Sequence, residues 1–404
     1  MIMRILCLFP VLRHANAELT FTGAERQFIE ICKRWIELGS DVDIVGTYFS
    51  IKLCETFGLK ADETYACEPT FFRFIGAESF VDIHKICKLI PSKKYDFIYC
   101  PNEPFEYVAC SVIAKKKLKL PLIASVNLFH PRDVTVWETV KMAIEYAPYR
   151  GVKVHLKSIP QRLLFAFKKR VRVSFLKKAD LIFAISKYVK DLLLKVGIDK
   201  GRIYETSSGI AYYDIRNIAP FNSKKFDACF LGAIIPRKGI LDLIRAWVKI
   251  VKVKPEAKLV IIGHGTGYYR KKVEKFILDH NLQNNVIMTG FVTEERKYAL
   301  LKQSRIFVFP SYLESFAQVV WEAMACGLPI IAYKLPVYEE FCGNNIIYVN
   351  IGDIEGLAIK ILELLRDDAL QEKMRRVGYK IAEKYDWDNV ARRQFEIIRR
   401  YLRS

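Results

Sequence analysis

The sequence has no long apolar run and no close pair of cysteines. No apolar stretch reaches the roughly 20 residues that a membrane-spanning helix needs, so we expect any membrane contact to be peripheral. None of the ten cysteines shows the Cys-x-x-Cys spacing typical of metal and redox sites. Most of them lie in apolar segments, which favours buried free thiols in a reducing compartment over a disulfide or metal framework.

Acidic residues are scarce relative to basic ones. The 404 residues include 64 Lys and Arg against 44 Asp and Glu, which gives a formal net charge of +20. This excess favours an anionic partner: nucleic acid, anionic lipid or a phosphorylated substrate. The length predicts two or three domains. The apolar segment 2–12 lacks a well-placed small-residue cleavage site, so we expect it to be the first strand rather than a secretory signal.

Short apolar segments alternate with amphipathic segments along the first half of the chain. Predicted strands lie at 2–9, 41–46, 95–100, 120–126, 181–185 and 203–206. Helices are predicted between them, as at 24–38 and 106–117. Residues 211–226 have no clean periodicity and are predicted to be an interdomain linker. The alternation predicts an α/β fold with a doubly wound parallel sheet.

A second alternation begins at Phe226. Its predicted strands lie at 226–231, 258–262, 286–289, 306–309, 329–332 and 346–349. Its predicted helices lie at 240–253, 268–280, 294–302, 317–325, 354–365 and 370–384. We therefore expect two Rossmann-like doubly wound domains, 1–210 and 211–386, followed by a helix at 387–404 that packs back on the first domain.

Residues suited to binding follow successive strands of the second domain. These residues are Gly232, Arg237, Lys238, Gly263, Gly265, Gly290 and Phe291. Glycines let the backbone approach a ligand closely, and two cations at a helix start favour phosphate. Glu314 follows the strand at 306–309, and Glu322 lies in the next helix. Since ligands bind at the carboxyl ends of parallel strands and carboxylates accept hydrogen bonds from vicinal hydroxyls, the set predicts a site for a nucleotide and a hydroxylated group.

The first half carries weaker signals. Gly23 lies in a small-residue turn at a helix start, where backbone N–H groups would meet an anion, although tight helix starts need small residues regardless of any ligand. His130 follows the strand at 120–126, where it would be a general acid/base, a polar contact or an incidental loop residue.

Residues 141–178 contain eleven basic residues and a single acid, Glu145, with apolar side chains interleaved. A basic amphipathic stretch predicts contact with an anionic membrane surface. An ordinary helix with a solvated basic face is the alternative. Nucleic acid is less favoured, because no recognised nucleic-acid motif accompanies the charge.

The segment Pro310-Ser311-x-x-Glu314-Ser315-Phe316-Ala317, ending in Glu322-Ala323-Met324-Ala325-x-Gly327-x-Pro329, resembles the signature of the family 4 retaining glycosyltransferases (glycosyltransferase group 1, GT-B fold). So does Phe230-Leu231-Gly232 leading to Pro236-Arg237-Lys238-Gly239. Two glutamates separated by seven residues in this setting are highly specific. The likeness covers nearly the whole chain and is strongest from about 226 to 350.

The resemblance implies two Rossmann-like domains facing a cleft, with a nucleotide-sugar donor on the C-terminal domain and the acceptor on the N-terminal one. By analogy, Glu322 would bind the ribose hydroxyls, Glu314 the donor sugar, and Lys238 would neutralise the diphosphate. Retention of the anomeric configuration is implied, with no divalent metal and no cofactor besides the donor substrate.

Further roles follow from the same resemblance. The N–H groups of Phe316 and Ala317 would help to bind sugar and phosphate, and Gly290 and Phe291 would border the base. Two positions depart from the family pattern. Ala233 stands where the family usually has arginine, and Arg237 lies near enough in sequence to compensate.

The second departure is Asn127, which stands where the family often has histidine. His130, three residues on, is the candidate to fill that role. The departures leave open an unusual substrate, weak activity or an inactive member, although the presence of Lys238, Glu314 and Glu322 argues against outright loss.

The leading expectation is a cytoplasmic, peripheral membrane glycosyltransferase acting on a lipid-linked or polysaccharide acceptor. A soluble enzyme that makes a small glycoside is the nearest rival, and a basic nucleic-acid-binding protein is a more distant one. A nicotinamide oxidoreductase predicts a full Gly-x-Gly-x-x-Gly at the first turn of either domain, and neither turn has it.

Overall fold

The computed structural model describes residues 2–12, 22–69, 78–129, 159–219, 224–265 and 267–404. His130 and residues 141–158 lie outside this part of the chain. The described residues form two compact units. The first unit runs up to Ser208 and also includes Trp387–Ser404, and the second spans Gly209–Asp386.

The first unit contains a seven-stranded parallel sheet in the order β3-β2-β1-β4-β5-β6-β7. Its strands are β1 (Arg4–Phe9), β2 (Asp41–Thr47), β3 (Glu63–Cys67), β4 (Phe97–Cys100), β5 (Leu122–Val126), β6 (Leu181–Ala184) and β7 (Ile203–Glu205). Its described helices are α1 (Gly23–Glu37), α2 (Tyr48–Thr56), α3 (Glu78–Lys88), α4 (Phe105–Leu118), α5 (Ile159–Leu176), α6 (Lys187–Lys195) and α15 (Trp387–Tyr401). The strands β4, β5 and β6 are buried throughout because helices cover both faces of a parallel sheet.

The last helix, α15, packs on α1 within the first unit. Trp35 of α1 is fully buried, its indole ring lies 4.9 Å from the Tyr99 ring of β4, and its Nε1 donates to the Ala391 carbonyl of α15 at 3.3 Å. Arg34 Nε donates to Asp388 Oδ1 at 2.9 Å on the same interface. Trp35 therefore joins the sheet to the C-terminal helix.

The second unit contains a six-stranded parallel sheet in the order β10-β9-β8-β11-β12-β13. Its strands are β8 (Phe226–Leu231), β9 (Leu259–Ile262), β10 (Val286–Gly290), β11 (Ser304–Phe309), β12 (Ile330–Tyr333) and β13 (Ile346–Val349). Its described helices are α7 (Tyr212–Asn217), α8 (Ile240–Val253), α9 (Gly267–Asp279), α10 (Glu294–Lys302), α11 (Gln318–Ala325), α12 (Pro336–Cys342), α13 (Ile354–Arg366) and α14 (Asp368–Glu383). The expected fold class, two Rossmann-like domains, is confirmed.

The prediction of an irregular linker at 211–226 is wrong for residues 212–217, which form α7 against α11 and α14. Only Tyr212 and Ile215 of this short helix are buried, which is too few residues to show a helical period. The edge strand β3 was also not predicted. Its five residues are exposed or half-buried, so it lacks the apolar run of a central strand.

All ten cysteines are free thiols, and eight of them are buried. In the part of the chain that the structure describes, no helix is both long and apolar enough to cross a membrane.

Replacing Trp35 by alanine would leave a cavity between β4 and α15. We expect the free energy of unfolding of the first unit to fall by about 3–5 kcal/mol, measured by urea denaturation followed by circular dichroism. Ile113, which is 40% exposed on α4 of the same unit, provides the control, since Ile113→Val should change stability by less than about 0.5 kcal/mol. Equal stability of the two variants would contradict the role of Trp35 in this packing.

Candidate functional site

Three predicted glycines lie together at the carboxyl ends of the adjacent strands β8, β9 and β10. Gly232 N donates to the Ile262 carbonyl at 3.0 Å, and Gly263 N donates to the Gly290 carbonyl at 3.1 Å. Gly263 has a φ of +140°, and a Cβ on it would lie 2.1 Å from the Gly232 carbonyl oxygen. This close approach explains the glycine at 263, and all three glycines keep a partly exposed backbone suited to a ligand.

The loop after β8 is held against the loop after β11 by backbone contacts. Pro236–Lys238 forms a 3₁₀ turn that ends at Gly239, with a φ of +67°. A Cβ on Gly239 would lie 1.9 Å from the Pro310 carbonyl oxygen, so only glycine fits there. Tyr312 N donates to the Arg237 carbonyl at 2.9 Å. Arg237 and Lys238 are thereby placed beside the segment that carries Glu314.

Lys238 and Glu314 form a buried ion pair. Lys238 Nζ lies 2.6 Å from Glu314 Oε1, and the two side chains are 13% and 7% exposed. Ser311 Oγ donates to the same carboxylate oxygen at 2.6 Å. Arg237 Nη1 lies 3.6 Å from Glu314 Oε1 and donates to the Leu313 carbonyl at 2.7 Å. The guanidinium of Arg237 therefore faces the site, whereas Ala233 is exposed and carries no polar side chain.

Burial lowers the pKa of Lys238, because removing water from an ammonium group disfavours its charged form. The charge of Glu314 acts in the opposite direction, and that of Arg237 adds to the lowering. Lys238 is thus a desolvated cation whose charge depends on an anionic neighbour. A phosphate group would supply a second such neighbour.

Glu322 is held by a lysine and a tyrosine that the sequence reasoning did not single out. Lys297 Nζ lies 2.9 Å from Glu322 Oε1, and Tyr298 donates its hydroxyl to the same oxygen at 3.2 Å. Burial, and next the charge of Glu322, raise the pKa of Tyr298 well above its usual value, so this hydroxyl stays a donor. Both contacts use Oε1, and no motif marks residues 297 and 298 because they are ordinary positions of α10.

Phe316 and Ala317 lie directly before α11. Ala317 has a φ of +59°, a left-handed conformation that costs energy for a residue with a Cβ. The side chain of Phe316 is buried, with its ring centroid 5.1 Å from that of Trp321 and 5.6 Å from that of Tyr385. Only the backbone of Phe316 is therefore available to a ligand. The aromatic packing holds the strained turn in place.

The remaining predicted residues of the second unit differ in exposure. Phe291 is 55% exposed after β10, which leaves its ring open to a flat partner. Gly265 packs so closely on Ile234 that a Cβ would lie 2.5 Å from the Ile234 Cβ. Gly265 therefore serves loop packing in this structure, and Gly290, with a φ of +71°, serves the turn after β10.

Gly23 is the first residue of α1, at the predicted helix start. Thr22 and Glu25 form a capping box: Thr22 N donates to Glu25 Oε2 at 2.6 Å, and Glu25 N donates to Thr22 Oγ1 at 3.3 Å. These two N–H groups at the helix start are already paired within the chain. Contact of Gly23 with an anion stays a prediction.

Asn127 follows β5 and is buried. Its Nδ2 donates to the Pro101 carbonyl at 2.9 Å and lies 3.3 Å from Asn102 Oδ1, while Glu103 Oε2 accepts its backbone N–H at 2.8 Å. Burial raises the pKa of Glu103, and the charge of Arg172 opposes this shift. Asn127 is thereby tied to the loop after β4, at the carboxyl edge of the first sheet. Glu103 was not among the residues predicted from the sequence.

The described end of the basic stretch packs partly inside the first unit. Arg172 is only 8% exposed, and its guanidinium carbon lies 5.3 Å from the centre of the Phe129 ring. The Phe175 and Phe105 rings stack at 6.2 Å. By contrast, Phe167 is 55% exposed. Arg172 is therefore a buried residue and Phe175 is half-buried, so Arg172 does not belong to an exposed basic surface.

Among the residues that the structure describes, no group of three or more His, Cys, Asp or Glu side chains is placed to hold one metal ion.

Two family models match the chain over adjoining ranges. The model of group 1 glycosyl transferases matches residues 213–381, and that of glycosyltransferase family 4 matches residues 21–211. The chain belongs to the family 4 glycosyltransferases. The match of the group 1 model includes Lys238, Glu314 and Glu322, so the expected family is confirmed.

Curated relatives of this glycosyltransferase agree with that assignment. It is 25% identical over 323 residues to an uncharacterised glycosyltransferase of Methanocaldococcus jannaschii, covering 79% of this chain and 80% of the relative. It is 28% identical over 159 residues to the phosphatidyl-myo-inositol mannosyltransferase of Mycobacterium leprae, covering 39% of this chain and 41% of the relative.

The fold of this glycosyltransferase is shared with solved structures. HepE from Anabaena, in complex with UDP and glucose, aligns with a TM-score of 0.72 and 18% sequence identity. The alignment covers 98% of this chain and 99% of HepE. At that identity the likeness establishes the fold.

The Lys238–Glu314 pair of this glycosyltransferase predicts a pH dependence. The unfolded chain holds the Lys238 proton up to its ordinary pKa of 10.5, whereas the folded protein loses it at lower pH. The contribution of Lys238 to the free energy of unfolding should therefore rise with pH between the lowered pKa and 10.5. Glu314→Gln removes a charge that raises this pKa, so we expect the pKa to fall further, measured by NMR titration of the lysine ε-carbon.

The Lys238→Met variant identifies the Lys238 resonance in that titration and serves as its control. An unchanged or higher pKa of Lys238 in Glu314→Gln would contradict the pairing.

Proposed function

We propose that this glycosyltransferase moves a sugar from a nucleotide-diphosphate sugar to a lipid-linked or polysaccharide acceptor, with retention of the anomeric configuration and without a divalent metal. The observation that carries the proposal is the buried Lys238–Glu314 pair beside three glycine turns at one edge of the second sheet. This edge joins a desolvated cation, a carboxylate and exposed backbone, which together suit phosphate and sugar hydroxyls.

In this proposal Lys238 binds the diphosphate, with Arg237 beside it. Arg237 then supplies the charge that the family usually takes from the position of Ala233, and its 3.6 Å distance from Glu314 supports that role. Glu314 accepts hydrogen bonds from the donor sugar. The backbone N–H groups at Phe316 and Ala317 add dipoles near the sugar and phosphate.

Glu322 binds the ribose hydroxyls in the same proposal. Lys297 and Tyr298 both contact Oε1, so Oε2 is the oxygen that would accept from a vicinal diol. The exposed ring of Phe291 and the turn at Gly290 border the base. The complex of HepE with UDP and glucose supports a nucleotide-sugar donor, as a finding about that protein.

The mechanism follows from where charge develops. As the bond from the anomeric carbon to the diphosphate oxygen breaks, the sugar becomes oxocarbenium-like and the diphosphate gains negative charge. Lys238 and Arg237 stabilise the departing oxygen, and Glu314 holds the sugar near the positive centre. The acceptor hydroxyl attacks from the face that the diphosphate leaves and passes its proton to a phosphate oxygen. No separate base is then required, and the configuration is retained.

Lys238→Met and Glu322→Gln should each lower the rate of sugar transfer by about 10²–10³-fold, because each removes a charged contact to the donor. Radiolabelled transfer measures the rate, and NMR of the product gives the anomeric configuration. Lys271→Met on α9, an exposed lysine, is the matched control and should keep full activity. Full activity of Lys238→Met or Glu322→Gln would refute the site, and an inverted product or loss of transfer in EDTA would refute the proposed mechanism.

We further propose that the enzyme acts at the cytoplasmic face of a membrane, through the basic stretch 141–178. The eleven basic residues of that stretch, and the lipid acceptor named for the mycobacterial relative, support this step. Because Arg172 is buried, the contact would be made by other residues of the stretch.

The membrane proposal is tested by cosedimentation with vesicles of phosphatidylcholine and phosphatidylglycerol at low salt. Charge reversal at Lys153, Lys157 and Arg162 should release the protein from these vesicles. Charge reversal at the exposed lysines Lys60, Lys94 and Lys271 is the control and should release less. Vesicle binding that survives reversal in the stretch would refute the role of this stretch. No binding by the native protein would favour a soluble enzyme that makes a small glycoside.

A further inference from the structure

A cavity lined mainly by cations opens at the amino-terminal ends of β5, β6 and β7. Its volume of about 430 Å³ falls within the roughly 300–1,000 Å³ typical of ligand pockets. Its charged lining consists of Lys115, Lys116, Lys119, Lys178, Asp180 and Arg202. Asn127 lies at the other end of β5, so the cavity is separate from the polar cluster at the carboxyl edge of the same sheet.

The single carboxylate of the cavity is already neutralised. Both oxygens of Asp180 lie 2.6 Å from Lys115 Nζ, and Oδ2 also accepts the backbone N–H of Leu122 at 2.7 Å. Lys115 further donates to the Lys178 carbonyl at 2.8 Å. Asp180 and Lys115 therefore fix the start of β5 to the end of α5. Neither contributes net charge to a ligand.

No described carboxylate neutralises the other four cations of the cavity. Among the described residues, Lys116, Lys119, Lys178 and Arg202 have no carboxylate paired with them. Arg202 Nη1 donates to the Lys177 carbonyl at 3.2 Å, and this hydrogen bond orients the guanidinium. Lys178 has its Nζ 5.2 Å from the centre of the Phe175 ring. Like charges gathered without counter-charges raise the local affinity for an anion.

Their backbone positions are set by turns from three separate segments. Lys119 caps α4 in a left-handed conformation and donates its backbone N–H to the Lys115 carbonyl at 2.9 Å. Lys178 follows α5 and donates its N–H to the Phe175 carbonyl at 2.9 Å. Arg202 ends a 3₁₀ turn before β7. The cations therefore meet because of the fold, since they are far apart in the sequence.

The alternative explanation for these lysines is that they stabilise the C-terminal end of a helix. Lysines in the last turn of α4 offset the partial negative charge of its carbonyls, which accounts for Lys116 and Lys119. It does not account for Arg202, which comes from the turn before β7. Guanidinium groups bind phosphate oxygens in pairs, so Arg202 adds a directional donor to the point charges of the lysines.

We propose that this cavity binds a phosphate group, from the headgroup of an anionic lipid or from a free phosphorylated compound. The proposal is independent of sugar transfer, because the cavity contains none of the residues assigned to the donor. A dianionic phosphate would take its contacts from Lys116, Lys119 and Arg202.

The test uses the full-length protein with two cavity lysines neutralised, Lys116→Gln in α4 with Lys119→Gln at its C-cap. The matched control neutralises two exposed lysines of the same unit, Lys60→Gln with Lys94→Gln. Calorimetry measures binding of inorganic phosphate, and flotation measures binding to vesicles of phosphatidylcholine with phosphatidylglycerol. Melting temperatures without ligand check that both variants fold.

We expect the cavity variant to bind phosphate about tenfold or more weakly than the control variant. A matching loss in flotation identifies a lipid headgroup as the source of the phosphate, and unchanged flotation identifies a free compound. Equal binding by the two variants in both assays would overturn the proposal. A result against sugar transfer at Lys238 or Glu322 would leave this outcome unaffected.

Discussion

The candidate site depends on the buried ion pair between Lys238 and Glu314. Each of these charges would be costly at this depth without the other, since burial of a lone charge is far more expensive than burial of a pair. The pair joins the loop after β8 to the loop after β11, and the backbone contact between Gly239 and Pro310 sets how close the loops come. Displacement of either loop would uncover a charge as well as move a binding group.

Contacts of neighbouring residues link the pair to the rest of the second unit. Ser311 donates to Glu314, the packed ring of Phe316 supports the strained turn at Ala317, and α11 carries Glu322 to Lys297 and Tyr298. Each of the two glutamates is therefore held in place by neighbouring hydrogen-bond donors. Such preorganisation suits a reaction in which charge must be stabilised as it appears.

The sequence predicts the central strands of both sheets well, because they contain apolar runs, such as 228–231 in β8 and 306–309 in β11. The sequence does not predict β3, whose side chains are exposed or half-buried, or α7, which is too short to show a helical period. In the site, the motif identifies Glu314 and Glu322. Their partners Lys297 and Tyr298 lie on α10 with no local pattern, since they meet Glu322 only through tertiary packing. Burial of Arg172 is likewise a tertiary effect that the basic stretch conceals.

Hydrogen–deuterium exchange with and without a nucleotide-diphosphate sugar is the most direct test that the donor binds at the carboxyl edge of the second sheet. It locates the donor without requiring an acceptor. A panel of donors is first compared by the melting temperature of the protein, and the donor that stabilises it most is used. The account predicts slower exchange in peptides that contain Gly232–Gly239, Gly263, Gly290 and Glu314–Glu322, at the carboxyl edge of the second sheet. Protection confined to other parts of the chain, or no protection with any donor that binds, would contradict it.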